Sequence, residues 1–122
     1  MRHLDLADLR AVGAIVLDSP MTVRDWGLLE SALARPRTTV FGADAYPSVW
    51  EKAAALLHSL VRNHGLVDGN KRVGFTAGIL LLHKNGIDVT FEEDDAYDLA
   101  IGLAEGRLDV PEIAEKLRGW AQ

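Results

Sequence analysis

Hydrophobic residues recur at helical spacing along almost the whole chain. Leu6, Leu9, Val12, Ile15 and Val16 fall on one stripe, and Asp5 stands where an N-cap acceptor is needed, so a first helix is predicted there. A second is predicted to begin after Thr22 and to run to about Ala34, where Pro36 stops it. Between Pro36 and Pro47 the pattern changes. Residues 37–45 carry Thr-Thr-Val-Phe-Gly, short and β-prone, which reads as a loop or small hairpin. Ser48 and Glu51, three apart, form a capping-box pattern, and a third helix follows over 49–62 with Trp50, Ala54, Leu57 and Val61 on its apolar stripe. The stretch Asn70–Lys84 is apolar on most sides, which predicts the central buried helix, ended by Asn85-Gly86. Gly74 and Gly78 within it suit close helix packing. Residues 88–91 read as one short strand, and helices over 93–105 and 111–120 complete the chain, separated by Gly106. No repeat, linker or low-complexity tract interrupts this order. The expectation is one mainly α domain over 1–122, a compact helical bundle with a small β flap or hairpin.

Composition narrows the function classes. A chain of 122 residues with 48% hydrophobic content can build a real core. Its 13 Lys and Arg against 18 Asp and Glu give a net charge of −5, which speaks against a nucleic-acid partner and an RNA-cleaving activity. Cysteine is absent, so there is neither a disulfide frame nor a thiolate nucleophile. No signal-peptide core is visible, and the apolar run around Ile79 and Leu82 is too short for a bilayer. A cytoplasmic protein without a membrane partner is expected.

Chemistry concentrates in His64-Gly-Leu-Val-Asp-Gly-Asn-Lys-Arg72, a polar run between two predicted helices whose last residues open the second. A helix N-terminus offers unpaired N–H groups and the positive end of the macrodipole, so it attracts anions. Gly69 removes a side chain from the backbone there, and Lys71 and Arg72 add positive charge. His64 can exchange a proton near neutral pH, and Asp68 can hold a hard cation such as Mg²⁺. A base, a metal ligand and an anion cradle are the parts of a phosphoryl-transfer site. The plain alternative is a turn followed by two solvated cations, yet two cations sit poorly at the positive end of a helix unless an anion joins them. The run is not a Walker A loop: Gly65 and Gly69 enclose three residues, and Arg72 replaces the hydroxyl residue.

These residues resemble the signature of the Fic/Doc superfamily, His-x-Phe-x-Asp/Glu/Asn-Gly/Ala-Asn followed by Gly-Arg in Fic proteins and Lys-Arg in the death-on-curing (Doc) branch. Lys71 stands at the distinguishing place and matches Doc. The likeness extends over 29–36, the Phe41-Gly and Tyr46-Pro pairs, Arg62 and Asn85-Gly86. Leu66 occupies the usual Phe position, where an aliphatic swap preserves anchoring, and Phe75 stands where Fic transferases carry a second arginine. The resemblance implies a toxin that acts as a protein kinase, moving the γ-phosphate of ATP to a threonine of translation elongation factor Tu. It implies His64 as general base, and Asp68 orienting Mg²⁺ or the histidine. Phosphate oxygens then fall to Gly69, Asn70, Lys71 and Arg72, with Arg62 adding charge. A flap of Thr38, Thr39, Val40 and Phe41 would dock the target backbone by strand addition, although composition alone reads the same stretch equally as an ordinary surface hairpin. Fic proteins often silence themselves through Ser/Thr-x-x-x-Glu, and no such spacing occurs here. The resemblance therefore implies an antitoxin in trans, its C-terminal segment folding into a groove beside the site against apolar residues of the outer helices. An AMP transferase and a catalytically silent antitoxin-binding module are the alternatives.

Other residues need no catalytic role. His58 and His83 read as structural, the acids of 92–95 as a solvated helix start, and Trp26, Trp50 and Trp120 as core or partner contacts.

Overall fold

A computed structural model describes residues 1–121; Gln122, the last residue of the expected domain, lies outside them. Six α-helices follow in order: α1 (Leu6–Leu17), α2 (Trp26–Ala34), α3 (Val49–Asn63), α4 (Asn70–Lys84), α5 (Glu93–Ala104) and α6 (Val110–Gly119). A 3-10 turn, Arg35–Arg37, leads from α2 into an antiparallel hairpin of β1 (Thr39–Val40) and β2 (Ala43–Asp44), in register Thr39 with Asp44 and Val40 with Ala43. Its two-residue connection, Phe41 and Gly42, has φ of 52° and 80°, the positive values a primed hairpin turn requires.

The helix starts follow from side-chain oxygens. Asp5 accepts from the Asp8 N–H while Asp8 accepts from the Asp5 N–H, a reciprocal cap on α1, and Asp109 with Glu112 does the same for α6. At α3 the Ser48 hydroxyl accepts from the Glu51 N–H at 3.1 Å, but Glu51 closes back on the hydroxyl itself at 2.9 Å.

The structure differs from the sequence reading in three places. First, α2 starts only at Trp26, capped by Asp25, because 22–25 are occupied otherwise: Val23 bridges Leu66, and the Val67 N–H donates to the Thr22 carbonyl at 2.9 Å. Second, α3 rather than α4 is the central element. Nine α3 residues are buried against six of α4, and α3 packs on α2, α4, α5 and α6. The small side chains of Ala53, Ala54 and Ala55, all fully buried, let its neighbours approach, while α4 keeps Phe75, Thr76, Ile79 and Leu80 only half-buried. Third, 88–91 do not form a strand; Val89 makes a single bridge to Ala121, and the Thr90 N–H donates to the Trp120 carbonyl at 2.8 Å.

The closest packing is between α3 and α4, and glycine permits it. A Cβ on Gly74 would lie 2.7 Å from Val61 Cγ2, and one on Gly78 would lie 2.9 Å from Leu57 Cδ1. The core, with Leu9, Leu56, Leu57, Leu81, Leu99 and Ile113 fully buried, thus surrounds α3 and fixes its C-terminal end against the start of α4. The motif lies between those ends. No helix among the described residues is long and apolar enough to cross a membrane.

Candidate active site

The loop between α3 and α4 is built by its backbone. His64 ends α3 in the left-handed region, φ 52° and ψ 50°, which turns the chain sharply and leaves the imidazole exposed. Arg24 secures that turn: its Nε donates to the His64 carbonyl at 2.7 Å and its Nη2 to the Asn63 carbonyl at 3.3 Å. The Gly65 carbonyl accepts from the N–H groups of Arg24 and Asp25 at 2.8 and 3.0 Å, so residues 22–25 line the loop from outside. Gly65 has no room for a side chain, since a Cβ would lie 2.8 Å from Leu29 Cδ2. Leu66 is 2% exposed and anchors the loop in the core, as expected of an aliphatic residue at that place. Arg24 was not legible as a site residue, because its partner lies some forty positions further on.

Asn70 completes the loop. Its side-chain carbonyl accepts from the Leu66 N–H and its amide donates to the Leu66 carbonyl, both at 3.0 Å. The carboxamide is thereby engaged with Leu66, and what Asn70 offers an anion is its backbone N–H at the start of α4. Gly69 also has a different reason from the one expected. Its φ is 82°, and a Cβ there would run into Leu17, so the glycine serves the turn and its packing on α1.

Around the mouth of this loop lies a hollow of about 320 Å³ lined by His64, Val67, Asp68, Gly69, Asn70, Lys71, Arg72 and Ala104. Here α4 begins without any side-chain cap, in contrast to α1, α2, α3 and α6. Lys71 and Arg72 are exposed and make no hydrogen bond or ion pair with any described residue. Two free cations, uncapped N–H groups and a helix dipole of the same sign converge on one opening, which is a receptor for a multiply charged anion. Among the described residues Asp68 is the one carboxylate lining it.

Arg62 does not join this opening. Its Nη1 donates to the Ala104 carbonyl at 2.7 Å and lies 3.5 Å from the Leu103 carbonyl, so the charge expected at the site instead caps the C-terminus of α5. It acts on the hollow only by fixing Ala104 in its wall. Phe75, at the place of the second Fic arginine, stacks edge-on against Phe91 and Trp120, with centroids 5.3 and 6.2 Å away. The hairpin residues Thr38, Thr39, Val40 and Phe41 are all exposed, with the Phe41 ring wholly in solvent. Among the described residues no cluster of three or more His, Cys, Asp or Glu could hold a metal ion. The acids at 93–95 form the exposed first turn of α5, and His83 pairs with Asp88 at 2.6 Å, as structural readings of both require.

An all-helical core presents a histidine turn and an uncapped, basic helix start to one hollow. Residues 3–82 match the Fic/DOC family, and the chain belongs to it. It is 48% identical over 121 residues to the Toxin Doc of Mycolicibacterium smegmatis, covering 98% of this chain and 93% of that one. It is 31% identical over 94 residues to the Protein kinase doc of Escherichia phage P1, covering 77% and 73%.

Proposed function

We propose that the protein is the toxin of a toxin–antitoxin system and a protein kinase that transfers the γ-phosphate of ATP to a threonine of elongation factor Tu, blocking translation. The observation that carries this reading is the hollow itself: an exposed His64 beside an uncapped helix start with two unpaired cations. The similarity to a toxin and to a protein kinase supports the same assignment. The choice of acceptor rests on the death-on-curing resemblance.

On this reading His64 takes the proton of the threonine hydroxyl as that oxygen bonds to the γ-phosphorus; the bond from the γ-phosphorus to the β–γ bridging oxygen breaks, and ADP leaves. Lys71, Arg72 and the N–H groups at the start of α4, which the turn at Gly69 brings to the hollow, offset the charge on the phosphate oxygens. Asp68 would hold Mg²⁺, for which one carboxylate beside phosphate oxygens and water is a fitting donor set, and phosphate charge would be neutralised there when the ion is bound. Phe75 supports phosphoryl over AMP transfer, since no second arginine is available at that turn of α4. The hairpin of Thr38, Thr39, Val40 and Phe41 offers open strand edges to an extended segment of the target.

The antitoxin fits a second groove. A cavity of about 650 Å³ between α4 and α5 is lined by Val16, Phe75, Tyr97, Ala100 and Ile101 and shares Lys71 and Arg72 with the hollow. A C-terminal antitoxin segment with apolar anchors and a carboxylate would fill it and cover both cations. The working compartment is the cytoplasm, where ATP and the elongation factor are found; nucleic acid and membrane have no part.

Incubation of the protein with elongation factor Tu and either γ- or α-labelled ATP tests the reading, with mass spectrometry to locate the modified residue. Transfer of γ-label to a threonine is the expected result. Transfer of α-label would make it an AMP transferase, and transfer of neither would reduce it to a binding module.

A further inference from the structure

The hairpin is held by more than its own ladder, and the restraint is unusual. Its strands are two residues each and exposed on both faces, too little to be stable alone. Yet Lys52, on the core side of α3 and only 6% exposed, sends its ammonium to Asp44 Oδ2 at 3.1 Å and to the Tyr46 carbonyl. Arg35 holds the same root from the other side: its Nε donates to the Tyr46 hydroxyl at 2.9 Å, and its Nη1 reaches His58 Nδ1 at 2.8 Å and Ser59 Oγ at 3.0 Å.

Burying an ammonium is far more costly than burying a methyl or thioether group of the same bulk, and a lone hydrophobe at position 52 would pack the core at least as well. The core gains nothing from the hairpin in return, because no residue of either strand belongs to it. What the two cations secure is the hairpin's position. At its tip Phe41 adopts φ 52°, a value that disfavours bulky residues, and the residue is fully exposed among the described residues. A segment that is costly to hold and unused inside the fold is shaped for contact outside it.

We infer that Lys52 is a positioning residue for the protein acceptor: through Asp44 and Tyr46, with Arg35 as second tether, it holds the β1–β2 hairpin at a fixed height so that an extended acceptor segment can pair along it. This rests on the kinase reading given above. Lys52 touches neither nucleotide nor acceptor, so its loss weakens acceptor binding and leaves nucleotide handling alone.

Lys52→Met and Asp44→Asn are the variants to compare with wild type, by melting, by amide hydrogen exchange over 39–45, and by KM for ATP and for elongation factor Tu. Lys52→Met is expected to melt at or above the wild-type temperature, to exchange its hairpin amides at least about tenfold faster, and to raise the acceptor KM about tenfold at unchanged ATP KM. Asp44→Asn, which leaves the buried ammonium without its counter-ion, is expected to melt below wild type and to show smaller changes of the same sign in exchange and acceptor KM, and it decides the matter if Lys52→Met does not fold. Unchanged exchange would overturn the tether, and faster exchange with an unchanged acceptor KM would overturn the positioning role. Either result, with wild type still active, leaves the kinase reading standing. Absence of transfer by wild type would remove that reading and this inference together.

Discussion

The Asn70 carboxamide spends both of its polar ends on the backbone of Leu66, donating to the carbonyl and accepting from the N–H at 3.0 Å each. This pair closes the loop between α3 and α4 on itself, with the start of α4 serving as the clamp. Asn70→Ala leaves two part-buried backbone groups without partners, each such hydrogen bond being worth about 1 kcal/mol net, so a loss of about 2 kcal/mol is expected. Asn70→Asp retains the acceptor and is expected to lose about half as much. Urea midpoints at constant m-value check both, and transfer activity should fall with the loop's displacement even where the protein stays folded.

The loop was legible as a site because its residues are contiguous: a base, a carboxylate and two cations within nine positions need no fold to bring them together. What each side chain does there was less legible. Arg62 is two residues from His64 in sequence, but the helical turn between them sends its guanidinium to the Ala104 carbonyl, and only the placement of α5 reveals that. Helix starts set by a local oxygen, such as Asp5 and Ser48, were readable. The start of α2 was misplaced although Asp25 caps it locally, since Thr22 and Val23 are taken up by Val67 and Leu66 across the chain, and no local propensity records such a pairing. The hydrophobicity of Asn70–Lys84 suggested a central helix, yet the three alanines of α3 decide centrality, because small residues rather than large ones let several helices converge.

His64 sits in a backbone conformation that costs a residue with a Cβ about 1 kcal/mol and suits glycine. His64→Gly is therefore expected to be as stable as wild type or more so, by about 0.5–1 kcal/mol, and to lose phosphoryl transfer altogether. Thermal melts beside γ-label assays separate the two effects. A variant of wild-type activity would remove the histidine from the role of base.

Gly74 and Gly78 make the opposite prediction. An added methyl at Gly74 meets Val61 Cγ2 at 2.7 Å and Leu60 Cβ at 3.1 Å, and α4 cannot retreat without shifting the loop it starts. Gly74→Ala is expected to cost about 1–3 kcal/mol despite the better helix propensity of alanine. Gly119, where nothing lies within 4 Å of an added Cβ, provides the control: Gly119→Ala should be neutral or mildly stabilising in the same melts.

His58 makes the fold sensitive to acid. Its pKa lies below 6.5, first because the ring is partly buried and then because Arg35 faces it; Asp109 acts in the opposite sense and Arg62 in the same one. The Nδ1 atom lies 2.8 Å from Arg35 Nη1 and accepts from it, which requires a neutral ring, and Nε2 is 3.8 Å from Asp109 Oδ1. His3, whose Nδ1 is buried without a hydrogen-bond partner among the described residues, is lowered as well, again mainly by burial. Because both imidazoles favour the neutral form in the fold, the unfolded chain binds more protons just below pH 6.5, and stability must rise with pH across that window. The contribution is fully present above 6.5 and is lost as pH falls through the lowered values. Urea midpoints measured from pH 7.5 downward, a range of about two units, should decline in wild type. They should decline less in His58→Gln, whose amide oxygen can still accept from Arg35, and least in the His3→Gln, His58→Gln double variant. An unchanged slope in the double variant would assign the acid sensitivity to other groups.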